Sequence, residues 1–170
     1  MNTLDVETRH DELARTWGLR DWLLERGLIE VSAEVDEDDR RRAVELREAL
    51  RVLLLANNGE PLDPGAVETL NRTAAAAPLE LRFSAAGNAE LEPAAADAAG
   101  ALARLLGVVY ASMLEGTWPR LKACRSETCR WAFYDGSKNR SGTWCTMAVC
   151  GSRQKARAYR ARRAQAHTPV

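Results

Sequence analysis

The feature that most constrains this chain is Cys124-Arg125-Ser126-Glu127-Thr128-Cys129, followed after fifteen residues by Cys145-Thr146-Met147-Ala148-Val149-Cys150. Two cysteine pairs with matched four-residue gaps suit a single tetrahedral metal. Each loop can close over one ion, backbone amides near the turns can donate to the thiolates, and the fifteen intervening residues can return the chain to the site. Four thiolates select zinc, or less readily iron, over hard cations. The competing readings are two disulfides or unconnected thiols. The 170-residue chain has 4 cysteines, all within this short stretch, and disulfides are disfavoured in a reducing compartment. One structural zinc on Cys124, Cys129, Cys145 and Cys150 is therefore expected. The return of the chain suggests a hairpin with ends at residues 131–134 and 143–145 and a turn over 135–142.

Charge divides the chain in the same place. The 24 Lys and Arg residues balance 24 Asp and Glu for a formal net charge of zero, which alone would argue against a polyanionic partner. From residue 119 to 170, however, twelve basic residues stand against only Glu127 and Asp135, so the first 118 residues carry an acidic surplus of the same size. Such a reversal suggests two units with different partners, the basic one suited to phosphate or an anionic surface. The boundary is expected between Gly116 and Pro119, giving a first domain over 1–118 and a second over 119–170. A hydrophobic fraction of 46% with 28% charged residues is globular and argues against disorder. No apolar stretch approaches the roughly 18 residues of a membrane span, and the start, Asn2-Thr3-Leu4-Asp5-Val6-Glu7, lacks the basic flank and apolar run of a leader. A soluble, cytoplasmic chain with no membrane contact is expected.

The acidic part reads as helical. Leu19, Trp22 and Leu23 share a face and Gly27 offers a stop, predicting a helix over 17–26. Asp36-Glu37-Asp38-Asp39 lies where a helix start favours negative charge. Ala43, Leu46, Leu50, Leu53 and Leu54 then follow at helical spacing until Asn57-Asn58-Gly59 ends the run. That acidic run and the Arg40-Arg41-Arg42 after it read as a solvated helix start rather than a metal site. A third helix opens at Pro61-Leu62-Asp63-Pro64-Gly65 and reaches about Ala75. After Pro78, Leu79-Glu80-Leu81-Arg82-Phe83 and Ala89-Glu90-Leu91-Glu92 alternate as a small hairpin with one buried face. The longest amphipathic helix follows Pro93, with Leu102, Leu105, Leu106, Val109, Met113 and Leu114 on its stripe, Met113 and Tyr110 expected in the core, and Gly116 closing it. Trp17, Trp22 and the leucines should let this unit fold alone. The expected class is mainly α with a small β-hairpin (α+β): a helical N-terminal domain, then a small four-cysteine finger of knuckle, hairpin and basic C-terminal helix.

After Cys150 the run Gly151-Ser152-Arg153-Gln154-Lys155-Ala156-Arg157-Ala158-Tyr159-Arg160-Ala161-Arg162-Arg163-Ala164 is rich in helix formers, so a helix should start at or just after the last cysteine. At about 100° per residue, Arg153, Arg157 and Arg160 cluster while Lys155 and Arg162 face the other way. A helix basic nearly all round suits a groove walled by phosphates better than a core. A solvated tail, or docking on the acidic domain, is the alternative. His10 and His167 read as solvated surface residues. No GxSxG, P-loop, HExxH or GxGxxG pattern occurs, so enzymatic machinery is not visible.

The stretch from Cys124 to Arg153, with Trp144-Cys145-x-Met147-x-x-Cys150-Gly151-Ser152-Arg153-x-Lys155-Ala156-Arg157, resembles the CGNR zinc finger, a bacterial module named for its last cysteine and the three residues after it. Ser152 stands here for the Asn of that name, a residue equally able to cap a helix. Asn2-Thr3 and Asp21-Trp22-Leu23-x-x-x-Gly27-Leu28 resemble the helical ABATE domain that usually precedes this finger. The resemblance implies a stress-induced transcription regulator with double-stranded DNA as partner. Arg153, Lys155, Arg157, Arg160 and Arg163 are the residues expected to touch phosphates or base edges. For the N-terminal domain, a small-molecule ligand, homodimerisation and contact with another protein all remain open. The competing class is a zinc-stabilised protein-interaction or thiol-redox module.

Overall fold

Side-chain chemistry at the helix starts sets the frame of the computed structural model, which describes residues 1–166. Asp36 caps α2 (Glu37–Ala56) by accepting from the Asp39 amide at 2.8 Å, while the Asp39 carboxylate accepts from the Asp36 amide at 3.2 Å. This reciprocal box satisfies two free donors, and Glu37, Asp38 and Asp39 meet the positive end of the helix dipole. Asp63 caps α3 (Pro64–Ala76), with proline at the first helical position, and Asp97 caps α4 (Ala98–Leu114). The first helix, α1 (Thr16–Glu25), ends at Arg26, and Gly27 then takes a φ of 62°. No helix among the described residues is long and apolar enough to cross a membrane.

The core lies where α1, α2 and α4 converge. Leu19, Leu23 and Leu46 are at most 1% exposed, joined by Leu13, Leu50, Ala98, Ala101 and Leu102. Two short antiparallel strands, β1 (Leu4–Asp5) and β2 (His10–Asp11), precede α1, and His10 is exposed as expected. His167 lies outside the described residues.

Three expectations about burial fail. The hairpin of β3 (Leu79–Phe83) and β4 (Ala89–Pro93) forms in the expected place, pairing Leu81 with Leu91, but it has no buried face: Leu81, Phe83 and Leu91 are all exposed. It meets α4 near its base, where Leu79 lies beside Gly107, and no third strand or helix crosses the rest. Met113 and Tyr110 are likewise exposed, with Leu114 beyond them, because the fully buried part of α4 is its first turns, Ala98 to Ala103, and contact with the core fades through Leu105, Leu106 and Val109. Trp17 is 67% exposed and contributes little to the core.

The basic segment folds against the C-terminal end of α2. Its strands are β5 (Leu121–Ala123) and β6 (Ala132–Tyr134), reached from α4 through a 3₁₀ turn, Trp118–Arg120. The Asn57 side-chain amide donates to the carbonyls of Trp118 and Leu121, both at 2.9 Å. Asn58, itself buried, donates to those of Ala123 at 2.8 Å and Thr143 at 2.9 Å. From the N-terminus, Asn2 brackets Ala132, donating to its carbonyl at 3.0 Å and accepting from its amide at 2.7 Å, as a neighbouring strand would. Arg51 spans both parts, donating to the carbonyls of Met1 at 3.0 Å and Arg130 at 2.6 Å.

Replacing Asn58 by Ala takes a donor from the buried Ala123 carbonyl and leaves that of Thr143 to the Arg125 amide alone. Each buried acceptor left without a partner costs about 1–3 kcal/mol, so Asn58→Ala should lower the unfolding free energy by about 2 kcal/mol, read by denaturant titration of the zinc-loaded chain. Exposed Asn88→Ala is the control and should stay within about 0.5 kcal/mol of the parent.

Candidate metal centre and nucleic-acid interface

The strand β5 delivers Cys124 to the start of a tight knuckle. The Cys124 amide donates to the Trp131 carbonyl at 2.9 Å, and the amides of Cys129 and Arg130 both donate to the Ser126 carbonyl, at 2.9 and 3.0 Å. Arg130 closes the turn in the left-handed region, with a φ of 53°, a conformation that costs a residue with a Cβ about 1–2 kcal/mol. The helical unit holds it there, since Arg51 takes its carbonyl and Glu60 its guanidinium at 2.9 Å. Of the second pair, Cys145 lies just before a π-turn, Met147–Gly151, that contains Cys150 and is capped by the Thr146 hydroxyl, which accepts from the Val149 amide at 3.3 Å.

These two turns bring all four sulfurs within 4.8 Å of one another. Cys129 and Cys145 Sγ are 3.6 Å apart, and Cys145 and Cys150 Sγ 3.7 Å. A disulfide requires about 2.05 Å. Sulfurs at about 2.3 Å from a tetrahedral ion lie about 3.8 Å from each other, which the observed spacings match. Cys124 and Cys150 are buried and Cys129 and Cys145 half-buried, so the shell is closed by protein on most sides. Burial, and then the neighbouring Cys129 thiol, push the Cys145 thiol up to about 11. Burial and the surrounding thiols raise Cys150 further still. For Cys124, burial acts upward, but hydrogen bonds from the backbone of Cys145 and Ser126 outweigh it and bring its thiol below the ordinary value. A divalent cation reverses the penalty on the raised thiols, because ligation requires thiolates and expels their protons. Four thiolates, with no histidine or carboxylate among the described residues joining them, make a closed, structural zinc site.

Behind the knuckle lies a pair that the sequence reading counted only as charges and loop. Lys122 and Asp135 are 3% and 4% exposed, with Nζ and Oδ2 at 2.7 Å. Lys122 also donates to the carbonyls of Arg140 and Gly142, and Asp135 accepts from the amides of Ser137 at 3.0 Å and Gly142 at 2.8 Å. Every charge is partnered, the condition under which a buried pair is tolerated. The Lys122 ammonium, followed by Ser137, holds the Asp135 carboxyl well below the usual carboxylate range. Gly142 is obligatory here, because a Cβ would lie 2.8 Å from the Asp135 carboxylate. The expected hairpin is thereby corrected. The partner of β6 is β5, which precedes the first cysteine, and residues 143–145 form no strand. Residues 135–142 wrap the ion pair instead of turning a hairpin, while Asn58 and the Arg125 amide take the Thr143 carbonyl.

The last helix, α5 (Ser152–Ala166), continues directly from the π-turn. Gly151 is buried at the junction, where a Cβ would lie 2.7 Å from the Met147 sulfur. Ser152 does not cap: its hydroxyl donates to the Met147 carbonyl at 3.0 Å, and Thr146 supplies the cap. Lys155, Arg157, Arg160 and Arg163 are exposed, as are the residues between them. Arg153 reaches the helical unit, both Glu7 oxygens lying 3.0 Å from its Nη1. Gln154 approaches Ser126 at 3.5 Å, so the root of α5 is tied down.

A thiolate knuckle closed over zinc, a two-stranded hairpin and a projecting basic helix define a zinc-finger protein. The CGNR zinc finger model matches residues 120–163. The ABATE model, described as "Putative stress-induced transcription regulator", matches residues 1–115, and the chain belongs to that family. No curated protein matches the chain.

The purified chain should contain one zinc per molecule by elemental analysis, and Cys145→Ser should lose it to a chelator at least tenfold faster. Acid should release zinc before it breaks the Lys122–Asp135 pair. Because the folded-state value of Asp135 is depressed, its stabilisation is complete above the unfolded carboxylate value near 4 and disappears only as pH falls through the lower folded value. Zinc release between pH 7 and 5 should therefore be equally steep in the parent and in Asp135→Asn, with the midpoint moved to higher pH in the variant because it holds zinc less tightly.

Proposed function

We propose that the chain binds double-stranded DNA through α5 and acts as a cytoplasmic, non-enzymatic transcription regulator of bacterial type. Arg153, Lys155, Arg157, Arg160 and Arg163 contact phosphates or base edges. The domain over 119–170 does the binding, and the helical domain over 1–118 senses a signal, dimerises or contacts a partner. The observation that carries this reading is the exposure of α5 on every side from Lys155 to Arg163. A helix this basic is exposed rather than buried, and it packs against the π-turn, with Arg153 at its root reaching Glu7. Zinc fixes the direction in which it leaves the knuckle. Each residue has its own local state. Lys155 and Arg157 have no ion pair among the described residues, Arg160 leans on the Ala156 carbonyl at 3.4 Å, and Arg163 lies 5.9 Å from the Tyr159 ring. Arg153 must exchange Glu7 for phosphate, which costs little because exposed pairs are weak and salt-screened.

Mobility shift of random-sequence duplex across a salt series tests this reading. Each phosphate contact releases counterions, so log affinity should fall linearly with log salt. The zinc-loaded triple variant Lys155→Ala, Arg157→Ala, Arg160→Ala should bind more weakly and lose about one unit of slope per contact removed. Arg104→Ala, on the exposed face of α4, should bind like the parent. Unchanged affinity and slope in the triple variant would favour the protein-interaction or thiol-redox reading.

A further inference from the structure

The helical unit encloses a cavity of about 200 Å³ between α1, α2 and α4. Leu13, Leu19, Leu46, Leu50 and Leu102 form its walls, and Val108, 64% exposed, stands where it opens to solvent beside Trp22 and Val109. Two polar side chains reach it, Thr3 and Arg47. The Arg47 guanidinium is already committed. Its Nη1 and Nη2 hold the two Asp11 oxygens at 2.6 and 3.0 Å, Nη1 also donates to the Thr3 hydroxyl at 3.1 Å, and Nε donates to Glu48 at 2.8 Å.

We propose that this cavity binds a small, uncharged, chiefly apolar molecule of the size of a substituted benzene, and that its occupancy is transmitted to the zinc knuckle through residues 1–3. The size follows from the volume, since an apolar cavity of about 150 Å³ holds benzene. The charge follows from the walls. An anionic ligand meets Arg47 already neutralised by Asp11 and Glu48 and a Met1 amino group that burial, with Arg51 and Arg47 beside it, pushes toward its neutral form, and a cation meets Arg47 with no carboxylate among the lining residues, so either would be desolvated without compensation. Four of the five N–H groups of Arg47 are used, which leaves one for a single acceptor on the ligand.

Transmission follows from connectivity. Met1 and Thr3 line the cavity, and Asn2 between them brackets Ala132 in β6. The Met1 carbonyl accepts from Arg51, whose other donor holds Arg130 directly after Cys129. A molecule that displaces Met1 or Thr3 therefore acts on the backbone of residues 130 and 132. The proposal rests on the sensor role given above to the helical unit, but its test reads binding without DNA, so either reading can fail alone.

The zinc-loaded full chain is titrated with toluene and followed by thermal unfolding and by NMR of leucine methyls and backbone amides. The expected result is a Tm that rises with toluene concentration, with shifts at Leu46, Leu50 and Leu102 and at the amides of Arg130 and Ala132. Benzoate, the same ring bearing a charge, should change none of these. Ala43→Met fills the cavity and should abolish the response; Val109→Trp, at its mouth, serves if the first variant does not fold. The absence of a toluene response in the folded parent, undiminished binding in a folded filling variant, or equal binding of benzoate would each overturn the site. Leucine shifts without shifts at Arg130 and Ala132 would overturn the transmission.

Discussion

The end of α2 is the joint on which both halves of the molecule depend. Arg51, Asn57 and Asn58 lie within two turns, and between them they hold the carbonyls of Met1, Trp118, Leu121, Ala123, Arg130 and Thr143. Four of these belong to the strands and turns that carry the cysteines. A module this small has too little apolar surface to fix its own backbone, and the helical unit supplies the missing partners through side chains that can each satisfy two acceptors. The knuckle is thus braced from outside by amides and a guanidinium and from inside by sulfur.

The metal and the buried ion pair divide the remaining work. Zinc joins the two cysteine turns, which are far apart in sequence and bring neither a shared strand nor a hydrophobic face. Lys122 and Asp135 organise the loop between them, converting residues 135–142 into a cage of backbone partners. A buried pair adds little net stability over an apolar substitute but tolerates only one arrangement of its partners. Its contribution here is to define the loop's path, while the thiolates bind the fold together.

What the sequence disclosed was local. Cysteine spacing, the acidic helix start and the helical stripes act over a few residues, and they led to the four-thiol site and to helices in the expected places. Long-range roles were hidden. Asn57-Asn58-Gly59 reads as a helix stop, which it is, but the same amides reach partners more than sixty residues away, and nothing in the local pattern announces that. Lys122 left a trace, a lysine inside the apolar strand Leu121-Lys122-Ala123, yet its partner Asp135 looked like an ordinary turn residue. The hairpin β3–β4 shows the opposite error. Alternation signals a strand with two unlike faces, but whether another element covers the apolar face depends on tertiary arrangement, and here none does.

Charge segregation gives the projection of α5 its physical sense. The helical unit carries the acidic surplus and would repel a polyanion brought against it, so the DNA-binding surface proposed for the same chain has to stand clear of that field. Fifteen helical residues rise about 22 Å, roughly twice the Debye length of about 10 Å at 0.1 M salt. The root of the helix, where Arg153 meets Glu7, is paired with the acidic unit, while the residues from Lys155 to Arg163 are exposed to solvent. Tying the root to the metal turn and leaving Lys155 to Arg163 exposed keeps the basic surface of the helix open to solvent.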